Sequence, residues 1–138
     1  MVDMEEPEPL TVALTGRGVG TTRILRALRE LERTSRRRFR TLAVVEADAE
    51  STVVERSADE VLRLPRGMRV SDVDRVAEVM GAHPIDLLVA GASPGEPVAR
   101  WAETARDRGW RWVGPSAACL RRLLDPLELR RRAEARGI

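Results

Sequence analysis

The sequence predicts an α/β fold: a three-layer, open and mostly parallel sheet of about five strands, with helices on both faces. Three observations carry this reading. Short continuous apolar runs recur at LTVALT (10–15), TLAVVE (41–46) and IDLLVAG (85–91). Between them lie stretches whose apolar residues return at helical spacing. Strands that do not alternate apolar with polar residues need cover on both faces, which the intervening helices supply. No internal repeat and no domain boundary interrupts the pattern. Residues 1–9, MVDMEEPEP, are expected to form a disordered acidic tail, and residues 10–138 a single domain.

Each element has a local cause. The first strand, 10–15, is ended by Gly16. A helix follows from about Thr21 to Glu32, with Ile24, Leu25, Leu28 and Leu31 on its apolar stripe and Arg23, Arg26, Arg29 and Glu30 largely elsewhere. TSRRRFR connects it to the second strand, 41–46. Residues 50–57 read as a helical turn, and DEVLRLP (59–65) as a short third strand stopped by Pro65. Ser71 is placed to cap the next helix, with Asp74 in the capping-box position and Val73, Val76, Ala77 and Met80 as the buried stripe. The fourth strand is 85–91. Pro97 opens a helix that reaches about Arg108 and ends at Gly109. WRWVG is the fifth strand. Trp110 and Trp112 share one of its faces, read as core packing with an interface as the alternative. Helices at about 116–124 and 126–136 close the chain. Asp125, Pro126 and Glu128 give the last of them its cap, first helical residue and capping-box acid.

Composition excludes several function classes. With 43% hydrophobic and 33% charged residues the chain is globular rather than disordered. No apolar run has the length of a membrane span, and the acidic start is neither signal nor transit peptide. A cytoplasmic protein is therefore expected. Cys119 is the single cysteine and His83 the single histidine, so neither an internal disulfide nor a zinc cluster is expected. All 24 basic residues are arginine, as a GC-rich genome would produce. Chemistry that needs lysine, such as a Schiff base or a phosphate-loop ammonium, is closed to the chain. Arginines gather at 36–38 with Arg40, at 121–122 and at 130–132, but the net charge is only +2 and aromatics are 3%. These clusters read as solvated helix faces and a loop, not as a nucleic-acid surface.

The candidate site is the glycine loop. Gly16, Gly18 and Gly20 follow a strand and open a helix, where backbone amides can meet a phosphate. Glu46, at the end of the second strand, is placed for a ribose hydroxyl. The third glycine of the dinucleotide fingerprint is replaced by Thr21, so a tight turn without ligand fits the residues equally well. His83 reads as a loop histidine and Cys119 as a small packed side chain in a helix. Asp48, Glu50, Asp59 and Glu60 read as solvated turn and strand-end acids rather than a catalytic pair.

The stretch GRGVGTTRILRALREL resembles the N-terminal domain of biotin carboxylases, the ATP-dependent component of acyl-CoA carboxylases. That family reads NRGEIAVRIIRACREL after its first strand. Arg17, Gly18, Arg23, Ile24, Arg26, Ala27, Arg29, Glu30 and Leu31 fall in register. Downstream, Arg56, Ala58, Asp59 and Glu60 match the family's DADALHVRLADEA, and Gly114, Pro115, Ser116 and Asp125 match its FIGPSPEAIRAMGDK. The resemblance spans about residues 10–138 and implies a pre-ATP-grasp, Rossmann-like fold. It also implies ATP as the cofactor class; the candidate cofactor-binding residues are those of the glycine-loop reading, Gly16, Arg17, Gly18, Gly20 and Glu46. A carboxylase subunit or a second copy is the implied partner.

Departures fall on functional positions. The family's asparagine and glutamate in NRGEIA are Gly16 and Val19. Its HPGYGFLSEN loop is AGASPGEPV, and the lysine it assigns to ATP is Pro126. The family's ATP-grasp domain would begin just after Ile138. The expectation is a stand-alone domain, inactive by itself and serving as a docking or accessory part. The alternatives are a small nucleotide-binding protein using the glycine loop and a ligand-free interaction module.

Overall fold

The computed structural model describes residues 5–16, 19–46, 53–64, 70–90 and 96–138. Five strands alternate with helices: β1 (Leu10–Thr15), α1 (Val19–Thr34), β2 (Phe39–Glu46), α2 (Val53–Ser57), β3 (Glu60–Leu64), α3 (Val73–Met80), β4 (Leu87–Ala90), α4 (Glu96–Asp107), β5 (Arg111–Trp112), α5 (Ala117–Leu124) and α6 (Pro126–Ala135). The strand order is β3-β2-β1-β4-β5, and every pairing is parallel. Residues 5–9 are exposed and carry no regular structure.

Strand side chains alternate between two buried clusters, as the pleat requires. Val12 and Leu14 of β1 and Ala43 and Val45 of β2 meet Leu25 of α1 and Val54 of α2. Ala13, Leu42, Val44 and Leu88 point the other way, onto Val73, Val76, Ala77 and Met80 of α3 and Trp101 and Ala105 of α4. Both faces are covered, which is why the strands read as unbroken apolar runs.

Boundaries move by a few residues. The helix α1 begins at Val19, so Gly20 lies inside its first turn instead of in the loop before it. Ser71 does not cap α3. It sits in a 3-10 turn, Val70–Asp72, and Asp72 takes the cap position without a side-chain bond. The strand β5 is only two residues long, because Gly109 and Gly114 bracket it with positive φ of 72° and 150°. Gly109 ends α4: the Trp110 N–H reaches back to the Ala105 carbonyl at 2.8 Å. Trp110 is buried in the α3–α4 cluster, and half-buried Trp112 packs against it. Their shared role is core packing.

Candidate functional site

The chain runs outward from β1 through β2 to β3, then returns to place β4 on the other side of β1. The reversal lies between β1 and β4. In sheets of this kind ligands bind at the carboxyl ends of the strands flanking such a reversal. Gly16 is the first residue beyond β1, with a φ of 94° that side-chain-bearing residues rarely adopt. Its N–H donates to the Val44 carbonyl at 3.0 Å, tying the turn to β2. Gly20 is half-buried in the first turn of α1, whose unpaired amides face this edge. Glu46 is the exposed last residue of β2, the neighbouring strand. The fold thus brings Gly16, Gly20 and Glu46 to one edge. Arg17 and Gly18 lie outside the described residues, as do Asp48, Glu50, Pro65 and residues 91–95.

Thr21 shows what replaced the third glycine of the fingerprint. It is completely buried, and its hydroxyl lies 3.5 Å from the Thr15 carbonyl. The space that a glycine would give to close helix–strand approach is filled by a side chain.

The opposite, amino-terminal edge is held by carboxylates. Asp59, just ahead of β3, accepts from the Thr41 N–H at 2.8 Å and from the Thr41 hydroxyl at 3.0 Å, while its own N–H donates to that hydroxyl at 2.9 Å. Arg29 of α1 closes the buckle, 3.1 Å from Asp59 and 2.7 Å from Glu32. Desolvation alone would raise the Asp59 pKa, but the hydrogen bonds from Thr41 and Arg29 outweigh it and the net shift is downward. Asp86 does the same for β1: it accepts from the Thr11 N–H at 2.8 Å, and its N–H donates to the Thr11 carbonyl. Sequence spacing could not reveal these pairs, which join residues 18 and 75 positions apart.

A second polar chain links three helices. Arg100 of α4 grips Asp74 of α3 through both carboxylate oxygens, at 2.8 and 2.7 Å, and Glu103 at 3.1 Å. Arg121 of α5 also hydrogen-bonds Glu103. The two guanidiniums, Arg121 first, hold the Glu103 carboxyl down at about 2 against an ordinary 4.5. Since the folded pKa is depressed, this stabilisation is complete above about pH 4.5 and is lost as pH falls toward 2. Asp59 acts in the same direction. Melting temperature should therefore drop on acidification below pH 4.5, and Glu103→Gln should make that drop shallower in melts followed by circular dichroism.

Cys119 is exposed, not packed as its helix position suggests. The half-buried side of α5 is formed by Ala117 and Leu120, which lie three apart, and position 119 falls off it. His83 is a loop residue, with Nδ1 3.2 Å from Glu60. Among the described residues no group of His, Cys, Asp or Glu could hold a metal, and no helix is long and apolar enough to cross a membrane.

The final corner is built by caps. Trp112 Nε1 donates to the Pro115 carbonyl at 2.8 Å, and a Cβ on Gly114 would stand 3.1 Å from the Trp112 ring. Ser116 accepts from the Cys119 N–H at 3.1 Å, capping α5. Asp125 accepts from the N–H groups of Leu127 and Glu128, and Pro126 is the first residue of α6. The capping box is one-sided, because Glu128 pairs with Arg132 at 2.7 Å and the Asp125 N–H turns to the Arg122 carbonyl. Asp125→Ala should cost about 1 kcal/mol, read as a lower urea midpoint at unchanged slope.

An all-parallel sheet with a glycine turn at its reversal point defines a Rossmann-like α/β domain. The chain belongs to the biotin carboxylase N-terminal domain family, whose model matches residues 9–120. Solved structures agree. The biotin carboxylase domain of a single-chain bacterial carboxylase is 25% identical, with a TM-score of 0.73, over 94% of this chain and 29% of that one. A single-chain, multi-domain long-chain acyl-CoA carboxylase is 26% identical, with a TM-score of 0.74, over 93% of this chain and 13% of its own. Pyruvate carboxylase from Rhizobium etli shares the fold, at 21% identity and a TM-score of 0.67, over 95% of this chain and 13% of its own. The chain thus spans under a third of each of these three solved proteins. No curated protein is a significant sequence match.

Proposed function

We propose that this chain serves as a scaffold and docking domain of ATP-dependent acyl-CoA carboxylation machinery and performs no catalysis of its own. One observation carries the reading. Several residues that match the family are occupied in holding the fold together: Arg29 with Asp59, Gly114 against Trp112, and Ser116 and Asp125 as helix caps. Where the resemblance places a lysine for ATP, Pro126 starts α6. The position has a backbone role and no charge to offer a triphosphate. The partner in this reading is a carboxylase subunit or a second copy of the chain, in the cytoplasm.

A second reading, nucleotide binding without catalysis, draws on Gly16. Its positive φ at the reversal point, beside the first turn of α1, would let a phosphate approach the amides, with Arg17, Gly18, Gly20 and Glu46 as the further contacts.

Bicarbonate-dependent ATP hydrolysis with free biotin tests the first reading. Its expected result is no rate above background, and turnover by the purified chain would overturn it. Co-purification with a carboxylase subunit, or a dimer by light scattering, is the expected positive result. Melting with millimolar ATP, ADP or NAD separates the two readings, because a ligand that binds only the folded state raises the melting temperature.

A further inference from the structure

We infer that the acidic stretch ahead of β1 is a built-in competitor for the arginine loop ahead of β2, and that this loop is a docking site for acidic polypeptide segments. The register of the two strands sets this up. Leu10 pairs with Phe39, and the Leu10 N–H donates to the Arg38 carbonyl at 3.1 Å. The strands are parallel, so the residues before Leu10, EEPEP, approach alongside those before Phe39, SRRR. Opposite charges are brought together on both sides of the ladder's start. Glu5 and Glu6 line a cavity of about 550 Å³ with Arg36, Arg37 and Arg38, and Glu8 lines a second, of about 380 Å³, with Arg40.

The arrangement is reversible. Pro7 and Pro9 have no N–H to donate, so this stretch cannot extend the ladder as a further run of strand. What remains is charge. Glu6 lies 3.9 Å from Arg38, and both side chains are more than two-thirds exposed. Exposed pairs of this kind are weak and screened by salt. Of the acids at the end of the neighbouring helix, Glu32 also lines the first cavity but is engaged with Arg29 and the Phe39 N–H, and Glu30 pairs with Arg33. Arg36 and Arg37 have no carboxylate at ion-pair distance among the described residues. Each guanidinium presents a planar fork of donors that matches a carboxylate, and several in a row can act together on one extended acidic segment. The occupant supplied by the chain itself is an extended run of glutamates, and a partner able to displace it would present the same chemistry.

The test uses the full chain and a fluorescent oligoglutamate peptide at low ionic strength. The variant Glu5→Gln/Glu6→Gln/Glu8→Gln should bind the peptide roughly threefold or more tightly than the unaltered chain, because a site freed of its competitor is fully available. Adding Arg36→Gln/Arg37→Gln/Arg38→Gln should abolish the gain, as should raised salt. Arg36→Gln/Arg37→Gln, which leaves Arg38 in place beside β1, is the milder companion variant and should remove most of it. Equal affinity with and without the glutamates would overturn the inference. So would a gain that survives loss of the arginines, or a larger gain for a single-stranded oligonucleotide or for phosphatidylserine vesicles than for the peptide. Unchanged melts for each variant keep folding out of the comparison.

Discussion

Replacing Trp101 with alanine is expected to lower stability by about 3–5 kcal/mol, a large share of the roughly 5–15 kcal/mol that holds a typical domain. Trp101 is 2% exposed and lies on the inner side of α4, packed with Met80, Leu88, Ala105 and Trp110. With Trp110 it is one of two buried tryptophans in the layer between sheet and helices, and the residues around it come from α3, β4 and α4. Truncation leaves a cavity that α3, α4 and β4 would have to close together. The melting temperature should fall by roughly 10–20 °C. Trp110 and Trp112 remain as fluorescent reporters, so urea unfolding of the variant can be followed directly. Trp101→Phe keeps most of the buried area and should lose much less. A Trp101→Ala variant within about 1 kcal/mol of the parent, a third of the low expectation, would mean that α4 is not seated on the sheet in this way.

Asp59→Ala is the second large effect, at about 2 kcal/mol. Thr41 is fully buried, and Asp59 accepts both its N–H and its hydroxyl hydrogen. Without the carboxylate those donors lose their acceptor, and Arg29 loses one of its two acidic partners. The Asp59→Asn variant can still accept from the Thr41 N–H and should retain most of the stability, since the pair with Arg29 is partly exposed and weak. A double-mutant cycle between Asp59→Ala and Thr41→Val should show coupling well above 0.5 kcal/mol. Additive losses would dismiss the buckle.

The three central strands were legible because burial on both faces leaves an unbroken apolar run, whereas their order across the sheet, β3-β2-β1-β4-β5, was not. Gly16 was legible because a strand followed at once by glycine and a helix has few geometries. The helix cap at Asp125 follows from local chemistry, which the sequence displays directly. The Asp59–Thr41 and Asp86–Thr11 pairs were not legible. Asp59 reads as a solvated turn acid until the sheet register sets it against a strand 18 residues away. Cys119 was misjudged for a related reason: which side of α5 faces α4 depends on packing and not on the composition of α5. Trp101 escaped notice because an isolated tryptophan in a charged helix carries no periodic signal.

The carboxylate buckles also separate two properties that proteins often keep entangled. Rigidity is anchored where the strands begin, while whatever chemistry the fold hosts is decided where they end. Loops at the far rim can gain or lose reactive groups without loosening the anchors. A lineage built this way can discard an enzyme's trade and pass on its shape intact, and an engineer can regraft new loops onto the same frame with little risk to its folding.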